Sequence, residues 1–255
     1  MDFEKRKAAT LASIRSSVTD KSPKGFLDEP IIPLLETINH HPSYFTTSSC
    51  SGRISILSQP KPKSNDSTKK KARGGSWLYI THDPADSDLV ISLLFPSKSN
   101  QIDPIDQPSE LVFRFEPLII AVECKDLGSA QFLVALAISA GFRESGITSC
   151  GDGKRVIIAI RCSIRMEVPI GDTEKLMVSP EYVKFLVDIA NEKMDANRKR
   201  TDGFSVALAS NGFKNPDEND VDEDDNYENL AANHDSSINN GNLYPGNICK
   251  SLCDC

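Results

Sequence analysis

The sequence predicts an α+β fold, a mixed β-sheet with flanking helices, and not a Rossmann-like one. Three observations carry this. Short β-branched and aromatic runs recur between residues 53 and 169. Helical periodicity is strongest at the two ends of the ordered-looking sequence. No strand leads through a G-x-G-x-x-G turn into a helix, and Gly151-Asp152-Gly153 lacks that context.

Taken in order, residues 2–19 read as a helix with Phe3, Leu11, Ile14 and Val18 near one face. Pro23 and Gly25 end it. Ile31, Leu34, Leu35 and Ile38 give a second, short helix that stops before Pro42. Residues 53–58 read as a strand, then 59–75 as a linker-like loop. Strands are expected over 77–82 and 89–95, with a second polar loop over 97–110. Residues 112–115 and 118–124 read as two strands broken at Pro117. Asp126 suits an N-cap, and 127–140 a largely buried helix ending at Gly141. Residues 146–149 and 155–161 form a hairpin around Asp152-Gly153, and 166–169 add a short strand. Ser179-Pro180-Glu181 opens the clearest helix, with an apolar stripe of Tyr182, Phe185, Leu186, Ile189, Ala190 and Met194. Arg198, Lys199 and Arg200 suit its C-terminus. About seven short strands therefore form the sheet.

The net charge of −7 is concentrated in the tail. Residues 211–255 hold ten acids and two bases, whereas 1–210 hold 27 bases and 26 acids. Two parts are expected: a near-neutral domain over 1–210 and an acidic, disordered tail or linker over 211–255. A near-neutral body excludes overall charge as the basis of nucleic-acid binding and leaves room for a local patch. No run of about 18 apolar residues predicts a membrane span. The start, MDFEKRKAAT, has no apolar core of a secretory signal. With seven Cys, this argues for reduced thiols in the cytosol or nucleus, and a cytoplasmic setting is expected.

The chemistry-bearing residues are few. In YFTTSSCSGRISIL, Ser48 to Arg53 read as a loop entering a strand. Gly52 allows a tight turn or close approach of a ligand. Ser49, Ser51 and exposed N–H groups suit a phosphate or carboxylate, and Arg53 could add a bidentate contact. The same residues also suit a plain serine-rich turn. His82, closing a strand, titrates near neutrality and could act as a base, or simply sit at the surface. Lys61, Lys63, Lys69, Lys70, Lys71 and Arg73 could follow a phosphate backbone or form a solvated insert. Cys249, Cys253 and Cys255 fall short of a four-ligand zinc set, and Cys50, Cys124, Cys150 and Cys162 form no C-x-x-C pair, so no metal is expected.

Several segments, in order, resemble the tRNA wybutosine-synthesising protein 3 family: FTTSSCSGR at 45–53, WLYITH at 77–82, FRFEPLIIAVEC at 113–124, AGFRESGIT at 140–148, KRVIIAIR at 154–161, MEVPI at 166–170 and the helical stretch 176–200. They span about residues 3–205. The resemblance implies an S-adenosylmethionine-dependent methyltransferase. It implies transfer to a ring nitrogen of the tricyclic modified guanosine just 3′ of the tRNA-Phe anticodon. The fold implied is the family's own. His82 is the implied catalytic base, with Ser49, Ser51, Gly52, Arg53, Gly146 and Thr148 contacting donor or substrate. The alternative is a non-catalytic tRNA-binding or scaffold module; a small-molecule enzyme is a third reading with no motif behind it. In plant relatives this domain is fused to other wybutosine-pathway enzymes. Residues 206–248 resemble the acidic linker of such a fusion, and CKSLCDC a truncated or alternative ending.

Overall fold

The computed structural model describes residues 2–15, 28–60, 75–96, 109–151, 153 and 155–214. The chain divides into two units, residues 1–220 and 221–255, and the second lies wholly outside the described residues. The lysine-rich segment, from Lys61 to Arg73, also lies outside them.

The spine of the fold is a long antiparallel ribbon. β1 (Tyr44–Pro60) and β3 (Ser109–Cys124) pair from Tyr44 opposite Cys124 to Pro60 opposite Ser109. β2 (Ser76–Thr81) lines the outer edge of β1. β4 (Gly146–Ser149) and β5 (Val156–Arg161) form the expected hairpin. β5 pairs with one half of β3, and β6 (Met166–Asp172) pairs with the other. The order is β2-β1-β3-β5-β4 with β6 beside β3, and all pairs among the described residues are antiparallel.

Three strand expectations change. The strand expected from residue 53 begins at Tyr44, so the hydroxyl-rich stretch is strand rather than loop. Pro117 does not divide β3. It lies opposite Gly52, between the stretch that β6 pairs and the stretch that β5 pairs, where no ladder needs its missing N–H. Residues 89–95 are not a strand. Ser87–Leu94 is a helix, α3, after α1 (Phe3–Arg15) and α2 (Ile32–His40). The Asp86 carboxylate caps it, accepting from the N–H groups of Asp88 and Leu89 at 2.8 and 3.3 Å. Val90 and Leu94 face the core four residues apart, while Leu89 is exposed.

The helices cover both faces. Phe45 and Glu123 point away from their neighbours Tyr44 and Cys124, because successive strand residues alternate. α1 docks there, with Phe3 5.3 Å from the Phe45 ring and Arg6 Nε 2.7 Å from the buried Glu123. Arg155 reaches the second Glu123 oxygen at 3.3 Å, so that buried charge is paired twice. On the main face, α2, α4 (Leu127–Ser139) and the end of α5 (Pro180–Ala209) cover a core that includes Leu118, Ile120, Ile158 and Ile160. α3 and the start of α5 cover a second core around Ile54, Ile56, Phe113 and Phe115. At 30 residues, α5 is about 45 Å long and reaches both.

The caps are as expected: Asp126 accepts from Ser129 N–H at 2.8 Å, and Ser179 from Tyr182 N–H at 3.3 Å. The buried faces differ. α4 buries only Ala130, Leu133 and Ala137, leaving Leu127, Phe132 and Ile138 exposed. α5 buries Val183, Leu186, Val187, Ala190 and Met194, with Tyr182 and Phe185 outside. It does not end at Arg198–Arg200, because Phe204 and Leu208 carry the buried stripe onward. Beyond it, buried Phe213 stacks on His41 and Tyr44 at 4.5 and 5.4 Å. The folded body therefore runs past residue 210, and residues 206–209 belong to α5 rather than to a linker. No helix among the described residues is long and apolar enough to cross a membrane.

Candidate active site

The site forms where the β1–β3 ladder is interrupted. Gly52 has φ 108°, a left-handed conformation that suits glycine. A Cβ there would lie 3.0 Å from Asn197 Nδ2 and 3.1 Å from the Glu116 carbonyl. Asn197 is buried on α5 and approaches this gap. Its Nδ2 donates to the Ser51 carbonyl and its Oδ1 accepts from Leu118 N–H, both at 2.8 Å. The side chain thus satisfies two backbone groups, one from each strand.

Beside this junction lies a cavity of about 170 Å³. Ser51, Gly52 and His82 line it from the sheet, and Asn197, Arg198 and Asp202 from α5. Ile31, Leu118 and Met194 supply apolar wall. The Arg198 guanidinium reaches Asp83 at 3.3 Å and the His82 carbonyl at 3.5 Å.

Behind that wall, His82 Nε2 lies 3.4 Å from Asp28 Oδ1 and 3.7 Å from Cys50 Sγ. The other Asp28 oxygen accepts from the Ser51 N–H and hydroxyl at 3.0 and 3.1 Å. Burial pushes the Cys50 thiol pKa up, although a backbone hydrogen bond at Gly52 and the Arg53 charge pull against it.

Of the residues singled out in the sequence, Ser51, Gly52 and His82 meet at this cavity. Ser49 stands two residues earlier on β1, opposite Ile120, and does not line it. Arg53 turns elsewhere: its Nε is 2.6 Å from Glu116, directly across the ladder, and its guanidinium lies 4.8 Å over the Trp77 ring. Gly146 and Thr148 sit on β4, about 14 Å away at three strand spacings. There Gly146 pairs with Ala159, and Thr148 Oγ1 donates to the Ile157 carbonyl at 3.2 Å. Asp28, Asn197 and Asp202 do not stand out in the sequence, and Arg198 suits only a helix end there. A signal existed for Asn197, since it continues the helical spacing of Ala190 and Met194 as a polar residue on an apolar stripe.

A family model described as Methyltransferase TYW3 matches residues 5–210, which include every cavity-lining residue. The chain belongs to the TYW3 methyltransferase family. A rice relative, tRNA wybutosine-synthesizing protein 2/3/4 of Oryza sativa subsp. japonica, is 57% identical over 209 residues. That match covers 80% of this chain and 20% of the rice protein, so the chain spans a fifth of that relative's length. tRNA wybutosine-synthesizing protein 3 of Saccharomyces cerevisiae is 36% identical over 219 residues, covering 78% of this chain and 77% of the yeast protein. Among solved structures, the PH1069 protein of Pyrococcus horikoshii matches with TM-score 0.66 and 33% identity, covering 81% of this chain and 96% of its own. A hypothetical protein from Aeropyrum pernix shares the fold, with TM-score 0.55 and 23% identity over 72% of this chain and 98% of its own. The sheet of this chain is antiparallel among the described residues, in an α+β fold, which accounts for the missing glycine fingerprint.

Proposed function

We propose that this TYW3 chain moves a methyl group from S-adenosylmethionine to a ring nitrogen of the tricyclic modified guanosine 3′ of the tRNA-Phe anticodon, in wybutosine biosynthesis in the cytoplasm. The family match over residues 5–210, with a cavity at Ser51, Gly52 and His82, carries this reading. The names of the rice and yeast relatives support tRNA as substrate.

The donor set fits one end of such a ligand. The cavity is smaller than the roughly 300–1,000 Å³ of most ligand pockets, so it takes a part of the donor or the base rather than both. When bound, S-adenosylmethionine supplies an electrophilic methyl on sulfur that a nitrogen displaces in line. The chain's work is positioning and exclusion of water. Arg198, at the cavity wall, offers a planar fork to a carboxylate or phosphate. Ile31, Leu118 and Met194 keep water from the reacting centre. Asp202 can accept the proton that the methylated nitrogen releases. His82 Nε2 faces Asp28 and Cys50, neither of which lines the cavity, so we assign His82 to holding the wall rather than to proton transfer.

The test is radiolabelled methyl transfer to tRNA-Phe from cells blocked at this step. Incorporation that requires the modified base supports the reading. Binding of that tRNA with no donor binding and no transfer would favour a scaffold module instead.

A further inference from the structure

We propose that Asp28, Cys50 and His82 form a binding site for a divalent zinc-type ion that fastens the back of the cavity wall. One ligand atom from each of the three residues lies within 4.8 Å of the other two. The spacings are the argument. Tetrahedral zinc has bonds of about 2.3 Å to sulfur and about 2.0–2.1 Å to nitrogen or oxygen. Its ligand atoms therefore lie about 3.6 Å apart for sulfur and nitrogen, and about 3.4 Å for nitrogen and oxygen. The observed separations are 3.7 Å for Cys50 Sγ to His82 Nε2 and 3.4 Å for His82 Nε2 to Asp28 Oδ1. The nitrogen–oxygen separation is long for a direct hydrogen bond, whose usual N···O length is about 2.9–3.0 Å. It suits two ligands that share an ion.

The surroundings match those of a metal ligand set. The side chains of His82 and Asp28 are only 9% and 10% exposed. Ser51 donates twice to the second Asp28 oxygen and so orients the first toward His82, as outer partners orient ligating carboxylates. Thiolate, imidazole and carboxylate together favour zinc over magnesium or calcium. Cys50 releases its thiol proton to solvent as the ion binds. Three protein ligands leave the fourth position to water. The ion joins three separate segments: the residue before the short 3₁₀ turn (Glu29–Ile31), the middle of β1, and the residue after β2. Sequence spacing could not show this, because the ligands lie far apart in the chain. The inference holds whether or not the chain methylates tRNA.

The test uses the full chain with Cys249, Cys253 and Cys255 changed to Ser, which removes the tail thiols as a competing site. Cobalt(II) serves as the spectroscopic probe and zinc(II) as the competitor. The expected result is one cobalt per chain, with a thiolate-to-cobalt band and the intense visible bands of a tetrahedral site, both erased by zinc. Zinc should also raise the melting temperature, and a chelator should reverse the rise. Cys50→Ser should abolish the thiolate band, and Ser51→Ala should weaken binding about tenfold through Asp28. A chain that takes up neither cobalt nor zinc at micromolar concentration overturns the proposal. So does a thiolate band that persists unchanged in Cys50→Ser.

Discussion

The carboxamide of Asn197 lies 2.8 Å from the Ser51 carbonyl, and its other end accepts from Leu118 N–H at the same distance. One side chain of α5 thus bridges the two strands at Ser51 and Leu118, the step of the β1–β3 ladder left unpaired beside Gly52. Asn197→Ala leaves the buried Leu118 N–H and the half-buried Ser51 carbonyl without this partner, the first at roughly 1–3 kcal/mol and the second at less. A loss of about 2–4 kcal/mol in urea unfolding is expected. Unchanged stability would show that water replaces the amide without cost.

Gly52 should tolerate no side chain. Gly52→Ala meets both a positive φ and a 3.0 Å contact with the Asn197 amide. A loss of about 1–3 kcal/mol is expected from the backbone conformation alone. Thermal melting checks it, and a neutral substitution would mean that the chain relaxes out of the left-handed conformation.

Arg53 looked like a ligand contact in the sequence, yet its guanidinium is engaged by Glu116 and Trp77. Arg53→Ala should therefore lower stability by about 1–2 kcal/mol, a modest amount because Glu116 is 40% exposed and water screens the pair. Arg53→Lys should recover only part of this, lacking the planar fork. Folded Arg53→Ala should keep nearly full kcat/KM. A large loss with matched melting would return Arg53 to the site.

Phe213 ties the chain after α5 to the folded body. Truncation after Lys214 should leave melting and methyl transfer nearly unchanged. Truncation after Ser210 removes a buried ring that stacks on His41 and Tyr44 and should cost roughly 3–5 kcal/mol. Equal melting of the two truncations would contradict this packing.

Local chemistry was the legible part of the fold. The caps at Asp126 and Ser179 and the hairpin turn near Gly153 depend on neighbours within a few residues. The 89–95 run misled because a short apolar stretch fits a strand or a helix, and the Asp86 cap that decides it lies just outside. Pro117 was read as a break because its harmlessness depends on where β5 and β6 stop pairing with β3. The site divides in the same way. Ser51, Gly52 and His82 stood out as small or titratable groups at strand-like segments. Asp28, Asn197 and Asp202 come from other parts of the chain, and only the path of α5 across the sheet brings Asn197 and Asp202 there. Gly146 and Thr148 lie in a family-like segment, yet β5 and β3 stand between them and β1.

We propose that methyl transfer occurs at the cavity between Ser51–Gly52 and α5. The most direct measurement is kcat/KM for radiolabelled methyl transfer by Arg198→Ala and Thr148→Ala, with melting matched to the parent. Losing a charge-assisted contact worth roughly 1.5–3 kcal/mol should lower the Arg198→Ala value about tenfold to a hundredfold. Thr148→Ala, on the far edge of the sheet, should stay near the parent. Full activity in Arg198→Ala together with a large loss in Thr148→Ala would place the chemistry at β4 and contradict the account.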